Sequence, residues 1–229
     1  MRISCSRAPL NLPSTIYIDH TLDLSIFHAR YENEDGGRPA YDPAILLKII
    51  LFAYAKGITS SREIQWCCET NIIFKALSCD TVPHFTTIAG FVSGCPQEIE
   101  ILFEQVLLIC HEQGLLGNEL FAIDGCKMSS DAAKGHGRQV SFIVKKANRA
   151  PHYTDWMRHR IDSDQGKQIY SHRMSVVEPV FANIGTNKRL KRFSLRGQKK
   201  VQGQWQLYCL IHNIEKLKNY GELARKMEG

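Results

Sequence analysis

The stretch DPAILLKIILFAYAKG, residues 42–57, sets the character of the first half of the chain. Asp42 can accept hydrogen bonds from the first free backbone N–H groups of a helix. Pro43 suits the first helical position, and Gly57 can take the left-handed conformation that closes one. Between them Ala44, Ile45, Leu47, Ile49, Leu51, Phe52 and Ala55 supply apolar faces, which predicts a helix over about 43–56. The run is broken by Lys48 and falls well short of the roughly 18 apolar residues a membrane span needs. The N-terminus MRISCSRAPL lacks the apolar stretch of a secretory signal. A cytoplasmic location with no membrane partner is expected.

The same helical punctuation recurs downstream. Ser60 followed by Glu63 reads as a capping box opening a short helix through Trp66, Cys67 and Cys68. After Pro83, the spacing of Ile88, Phe91 and Val92 predicts another helix before Gly94. Pro96 opens a long amphipathic helix carrying Ile99, Leu102, Phe103, Val106, Leu107 and Cys110, with Gly114 at its end. Residues 1–118 are therefore read as a helical N-terminal domain.

At Glu119 the pattern changes. Leu120-Phe121-Ala122-Ile123 is a short continuous apolar run ending in Asp124-Gly125, which reads as a buried strand with a carboxylate at its carboxyl end. Residues 140–144, VSFIV, are a second strand candidate, and Ser129–Gly137 between the two reads as a polar linker. A helix over about 168–184 puts Tyr170, Met174, Val177, Phe181 and Ile184 on one face, with a kink expected at Pro179. A last helix is expected at about 203–218. Residues 119–229 are read as a second domain, and the fold class as α+β.

The 229 residues can bury a real core, and 44% hydrophobic with 23% charged residues exclude disordered, collagen-like and membrane-spanning classes. Net charge is +6, unevenly shared. Residues 1–118 hold 8 Lys and Arg against 13 Asp and Glu, whereas residues 119–229 hold 21 against 10. A basic half points to an anionic partner, most often nucleic acid, although solvated surface lysine gives the same total. Eight cysteines without regular spacing read as reduced thiols, several of them buried. No CxxC or HxxxH pair supports zinc among Cys67, Cys68, Cys79 and His84.

Three features could carry chemistry. Asp124, at a strand end, stands where metal-dependent phosphoryl-transfer sites take a hard oxygen ligand, yet Asp-Gly is also a common turn. Glu178 lies among Val177, Pro179 and Phe181, so it is either a metal ligand or an ion-pair partner of Arg173. Lys188, Arg189, Lys191, Arg192, Arg196, Lys199 and Lys200 crowd positive charge into 188–200 with no acid between them, which favours nucleic-acid contact.

Together these segments resemble bacterial insertion-sequence transposases of the DDE type, with an RNase H-like core. GRPAYDPAILLK (37–48), GITSSREI (57–64) and PHFTTIAGF (83–91) look like their helical N-terminal domain. FAIDG (121–125) looks like the strand bearing the first catalytic Asp. Tyr170-x-x-Arg173 followed by Glu178 looks like the helix bearing the catalytic Glu, with Tyr170 and Arg173 in support. QWQLYCLIHNIEKL (204–217) looks like the family's C-terminal end. The resemblance implies catalysis and Mg²⁺ binding by Asp124 and Glu178, with DNA as partner and a homo-oligomer or an intact transposase as further partners. In the family a second catalytic Asp ends a later strand. Here Glu178 follows Asp124 by only 54 positions, and Asp131, Asp155, Asp162 and Asp164 in that interval all lie in polar contexts. An internally deleted copy with an incomplete RNase H-like α/β core is therefore expected, its cleavage and strand transfer lost or weak. The alternative is a non-catalytic DNA-binding remnant that regulates intact transposase.

Overall fold

The computed structural model describes residues 13–30, 40–116, 129–130 and 153–221. Helix α1 (Pro13–His20) and a 3₁₀ segment (Ser25–Arg30) precede α2 (Pro43–Ala55), which starts as its sequence demands: the Ala44 N–H donates to Asp42 Oδ1 at 2.8 Å. Its end is a Schellman closure. The Ile58 N–H reaches Ala53 O at 2.9 Å and the Gly57 N–H reaches Tyr54 O at 3.0 Å, with Gly57 at φ +76°. Helices α3 (Ser61–Thr70), α4 (Ile72–Leu77) and α5 (Phe85–Gly94) follow, and α6 (Pro96–Glu112) closes at Gly114, φ +68°, by the same device. Ser60 is the N-cap of α3, but its side chain makes no capping hydrogen bond, so the expected box does not form.

In the second half, α7 (Tyr153–Asp162) and α8 (Asp164–Ala182) are joined at Ser163, whose Oγ accepts from the Gly166 N–H at 3.0 Å. Helix α8 runs through Pro179 and passes into one turn of π-helix (Asn183–Asn187), in which the Lys188 N–H donates to Asn183 O at 3.0 Å. Helix α9 (Gln198–Tyr220) ends the described chain. Two strands of two residues each, β1 (Ser129–Ser130) and β2 (Arg192–Phe193), pair in parallel, Ser129 with Arg192 and Ser130 with Phe193. That pair is the whole sheet among the described residues. The helical half of the expected α+β class holds, whereas an RNase H-like sheet does not appear among the described residues, and the linker read at 129–130 is a strand. The strand candidates 120–123 and 140–144 lie outside the described residues.

The core is built around α9. Leu207, Leu210, Ile214 and Leu217 on this helix are buried and belong to one apolar cluster with Leu46, Ile49 and Ile50 of α2, Phe91 of α5 and Ile99, Leu102 and Val106 of α6. Its principal partner is α6, followed by α5, α2 and α1. Gly203 permits a close approach to α6, because a Cβ there would stand 3.3 Å from Pro96 Cα and Cβ. Tyr17 Oη of α1 donates to Leu217 O at 3.4 Å, and the rings of Tyr54 and Tyr208 meet with centroids 5.3 Å apart. Burial holds the Tyr54 hydroxyl protonated, with its pKa pushed up to about 12 despite a hydrogen bond with Gln204. A helix from the basic half thus completes the core of the helical half. Among the thiols, Cys67, Cys68 and Cys110 are buried and free, Cys95 is buried, and burial raises Cys68 to about 11. Cys79 is disulfide-bonded, which corrects the expectation of reduced thiols at that position.

Candidate nucleic-acid interface

The expected acidic pair is only half described. Asp124 lies outside the described residues, as does Asp131. Glu178 is on α8 with its carboxylate exposed, so the apolar burial expected from its neighbours does not occur; Val177 is partly covered and Pro179 is exposed. Tyr170, two turns earlier on α8, is 44% exposed. Arg173 lies in the same helix, but its side chain is outside the described residues. Asp162 ends α7 and Asp164 begins α8, both exposed, so neither sits at a strand end. Among the described residues no group of three or more His, Cys, Asp or Glu could hold a metal ion.

The basic cluster divides in two. Lys188 is buried, 1% exposed, and its Nζ lies 2.5 Å from Glu215 Oε2 on α9. The acid it pairs with comes from 27 residues further on, which is why a scan of 188–200 could not see it. Lys188 therefore does not face an external partner. Arg189, Lys191, Arg192, Arg196, Lys199 and Lys200 are exposed.

The exposed cations stand on a fixed frame. Arg189, itself at φ +54°, lays its side chain over Gly57: a Cβ on Gly57 would come within 2.8 to 3.0 Å of Arg189 Cδ, Cγ and Cβ. Gly57 is thus required twice, for its positive φ and for this approach. Gln204, fully buried, pins the segment after β2. Its Oε1 accepts from the N–H groups of Ser194 and Leu195 at 3.2 and 3.4 Å, and its Nε2 donates to Ser194 Oγ at 2.9 Å. Trp205 packs against Phe193 of β2 and Phe181 of α8, with centroids 6.5 and 6.2 Å away. The fold adds a cation from the other half: Arg62 of α3, exposed, has its guanidinium carbon 5.0 Å from the Phe85 ring centroid. Nothing in the local sequence marks Arg62 or Gly57 as neighbours of the 188–200 segment, since only packing of α9 onto the helical half brings them there.

A second polar cluster lies where α8 meets α9. Asn183 Oδ1 accepts from Asn187 Nδ2 at 3.0 Å, which turns the Asn183 amide N–H toward His212 Nδ1 at 2.9 Å and leaves His212 Nε2 as the protonated nitrogen. That Nε2 is buried, with no hydrogen-bond partner among the described residues. Burial, then Lys216 and Lys188, hold His212 below the ordinary imidazole range, against the opposing pull of Glu215.

Comparison with known protein families gives two matches. Residues 11–94, from α1 to α5, match a family model described as Transposase domain (DUF772), and residues 119–218, which include α7, α8 and most of α9, match one described as Transposase DDE domain. No curated protein and no solved structure shows a significant match to the chain. Among the described residues no helix is long and apolar enough to cross a membrane. DDE transposase domains generally act with a divalent metal. With an N-terminal and a DDE transposase domain matched in succession, the chain belongs to the insertion-sequence transposases of the DDE type.

Proposed function

We propose that this chain binds DNA at insertion-sequence ends and that its phosphodiester chemistry is impaired. The observation that carries the first half is the exposed set Arg189, Lys191, Arg192, Arg196, Lys199 and Lys200, in a segment without a single acid. Duplex DNA offers one negative charge per about 1.7 Å of axis, and releasing its counterions favours cations held at this density.

The impairment follows from the interval before Glu178. The three-carboxylate chemistry of the family needs a second Asp at a strand end. Asp162 and Asp164 flank a helix junction instead. Glu178, an exposed carboxylate with no ion pair among the described residues, has the hard oxygen chemistry that Mg²⁺ takes, and with Asp124 it would hold the ion only weakly. When bound, that ion would stabilise charge on a phosphate oxygen. Tyr170 and Arg173 on the same helix would support the site. A chain that occupies element ends without cutting them would compete with intact transposase.

Fluorescence anisotropy with end-containing duplex tests the binding half. Affinity should fall on the order of 10³-fold between 50 and 200 mM salt, and joint replacement of Arg189, Arg192, Arg196, Lys199 and Lys200 by Ala should flatten the log–log slope by about 4. An unchanged slope would remove the cluster from the account. Mg²⁺-dependent nicking by the wild-type chain, abolished in Glu178→Gln, would refute the impairment.

A further inference from the structure

A cleft of about 490 Å³ opens between the turn at Thr59–Arg62, helix α5 and the segment just after β2. Its floor is apolar, made by Tyr54, Ile88 and Leu195, while the hydroxyl-bearing residues Ser60, Ser61 and Ser194 line it as well. The wall after β2 is held in place by the Gln204 hydrogen bonds to Ser194 and Leu195, and the Arg189 side chain packs on Gly57, two residues before Thr59. Arg62, its guanidinium carbon 5.0 Å from the Phe85 ring centroid, stands in the wall. No acid occurs in residues 54–62 or 188–200; Glu63 is the first beyond Arg62.

An apolar floor gains nothing from a bare phosphate, and a cationic rim gains nothing from an apolar ligand. A nucleotide satisfies both, since its base has a π face and hydrogen-bonding edges and its phosphate is anionic. Bases inside a duplex are stacked and paired and cannot enter such a cleft. We propose that this cleft receives an unpaired nucleotide of the bound DNA, its base over the apolar floor and its phosphate on Arg62. This rests on the DNA-binding reading above and adds that a distorted or frayed site is preferred over a closed one.

Two duplexes of equal length and phosphate count, one fully paired and one with a mispaired end, separate the two statements. Wild-type protein should bind the mispaired duplex about tenfold more tightly, the scale of one stacked base. Ala89 lines the cleft and is exposed, so Ala89→Trp fills the space without entering the core. This variant should lose the preference while keeping its melting temperature, its affinity for paired duplex and its salt slope. Equal binding of the two duplexes by the wild type, or a preference that survives Ala89→Trp, would overturn the cleft assignment alone. Failure to bind either duplex would overturn it together with the DNA-binding reading.

Discussion

Helices α8 and α9 come from the same half of the chain, and both carry apolar residues at helical spacing, yet they end in opposite environments. Helix α9 buries Leu207, Leu210, Ile214 and Leu217 against four helices of the other half. Helix α8 packs on α7 and on the π turn, and leaves Ile169 and Val176 at 50% and 52% exposure. Periodicity defines a face; whether that face has a partner depends on what the rest of the fold brings to it. Gly203 and Pro96 let α9 approach α6 closely, whereas among the described residues α8 meets the core at its end, through Val180, Phe181 on Trp205 and the buried Ile184 in the π turn.

The largest expected effect follows from that contrast. Leu207→Ala should lower unfolding stability in urea by about 3 kcal/mol through the cavity it leaves. Val176→Ala on α8 should stay within about 0.5 kcal/mol. Equal effects would erase the distinction between the two helices.

Next in size is Lys188→Ala. It removes a buried cation from its partner, and because Glu215 keeps 38% side-chain exposure the loss should be about 2 kcal/mol, under the range for a fully buried pair. The same substitution should leave the salt slope of DNA binding unchanged, which distinguishes Lys188 from Arg189 beside it.

The smallest effect is one of pH. His212 has a lowered pKa in the folded state, so the unfolded chain takes up the proton first as pH falls. Its neutral form contributes stability that is present above about pH 6.5 and is lost as pH falls from there toward the folded value. Protonation would also set an Nδ1–H against the Asn183 amide. Thermal melting between pH 7.5 and 5.5 should show a steeper decline in the wild type than in His212→Gln; parallel curves would remove His212 from the α8–α9 junction account.

The helical half was largely legible in the sequence because its signals are local. Asp42, Pro43 and Gly57 mark the ends of α2, and Pro96 and Gly114 those of α6, each by a backbone requirement that no distant residue can change. Helices α1, α4 and α7 were not foreseen. For α4 the signal was present in Asn71, whose Oδ1 accepts from the Ile73 and Phe74 N–H groups. The candidate site was less legible. The 188–200 segment reads as seven equivalent cations, and only the packing of α9 separates Lys188, paired with Glu215, from the six that face solvent. Glu178 looked buried because its sequence neighbours are apolar, but the face they define is not covered at that point of α8.

Native-state hydrogen exchange tests the central claim most directly, namely that α9 of the basic half is part of the core of the helical half. Amides of α9 between 207 and 217 should exchange at the same slow, global-unfolding rate as those of α6 between 102 and 110, and those of α8 between 168 and 178 at least about 100-fold faster. Exchange of α9 at the rate of α8, with α6 still protected, would contradict the shared core.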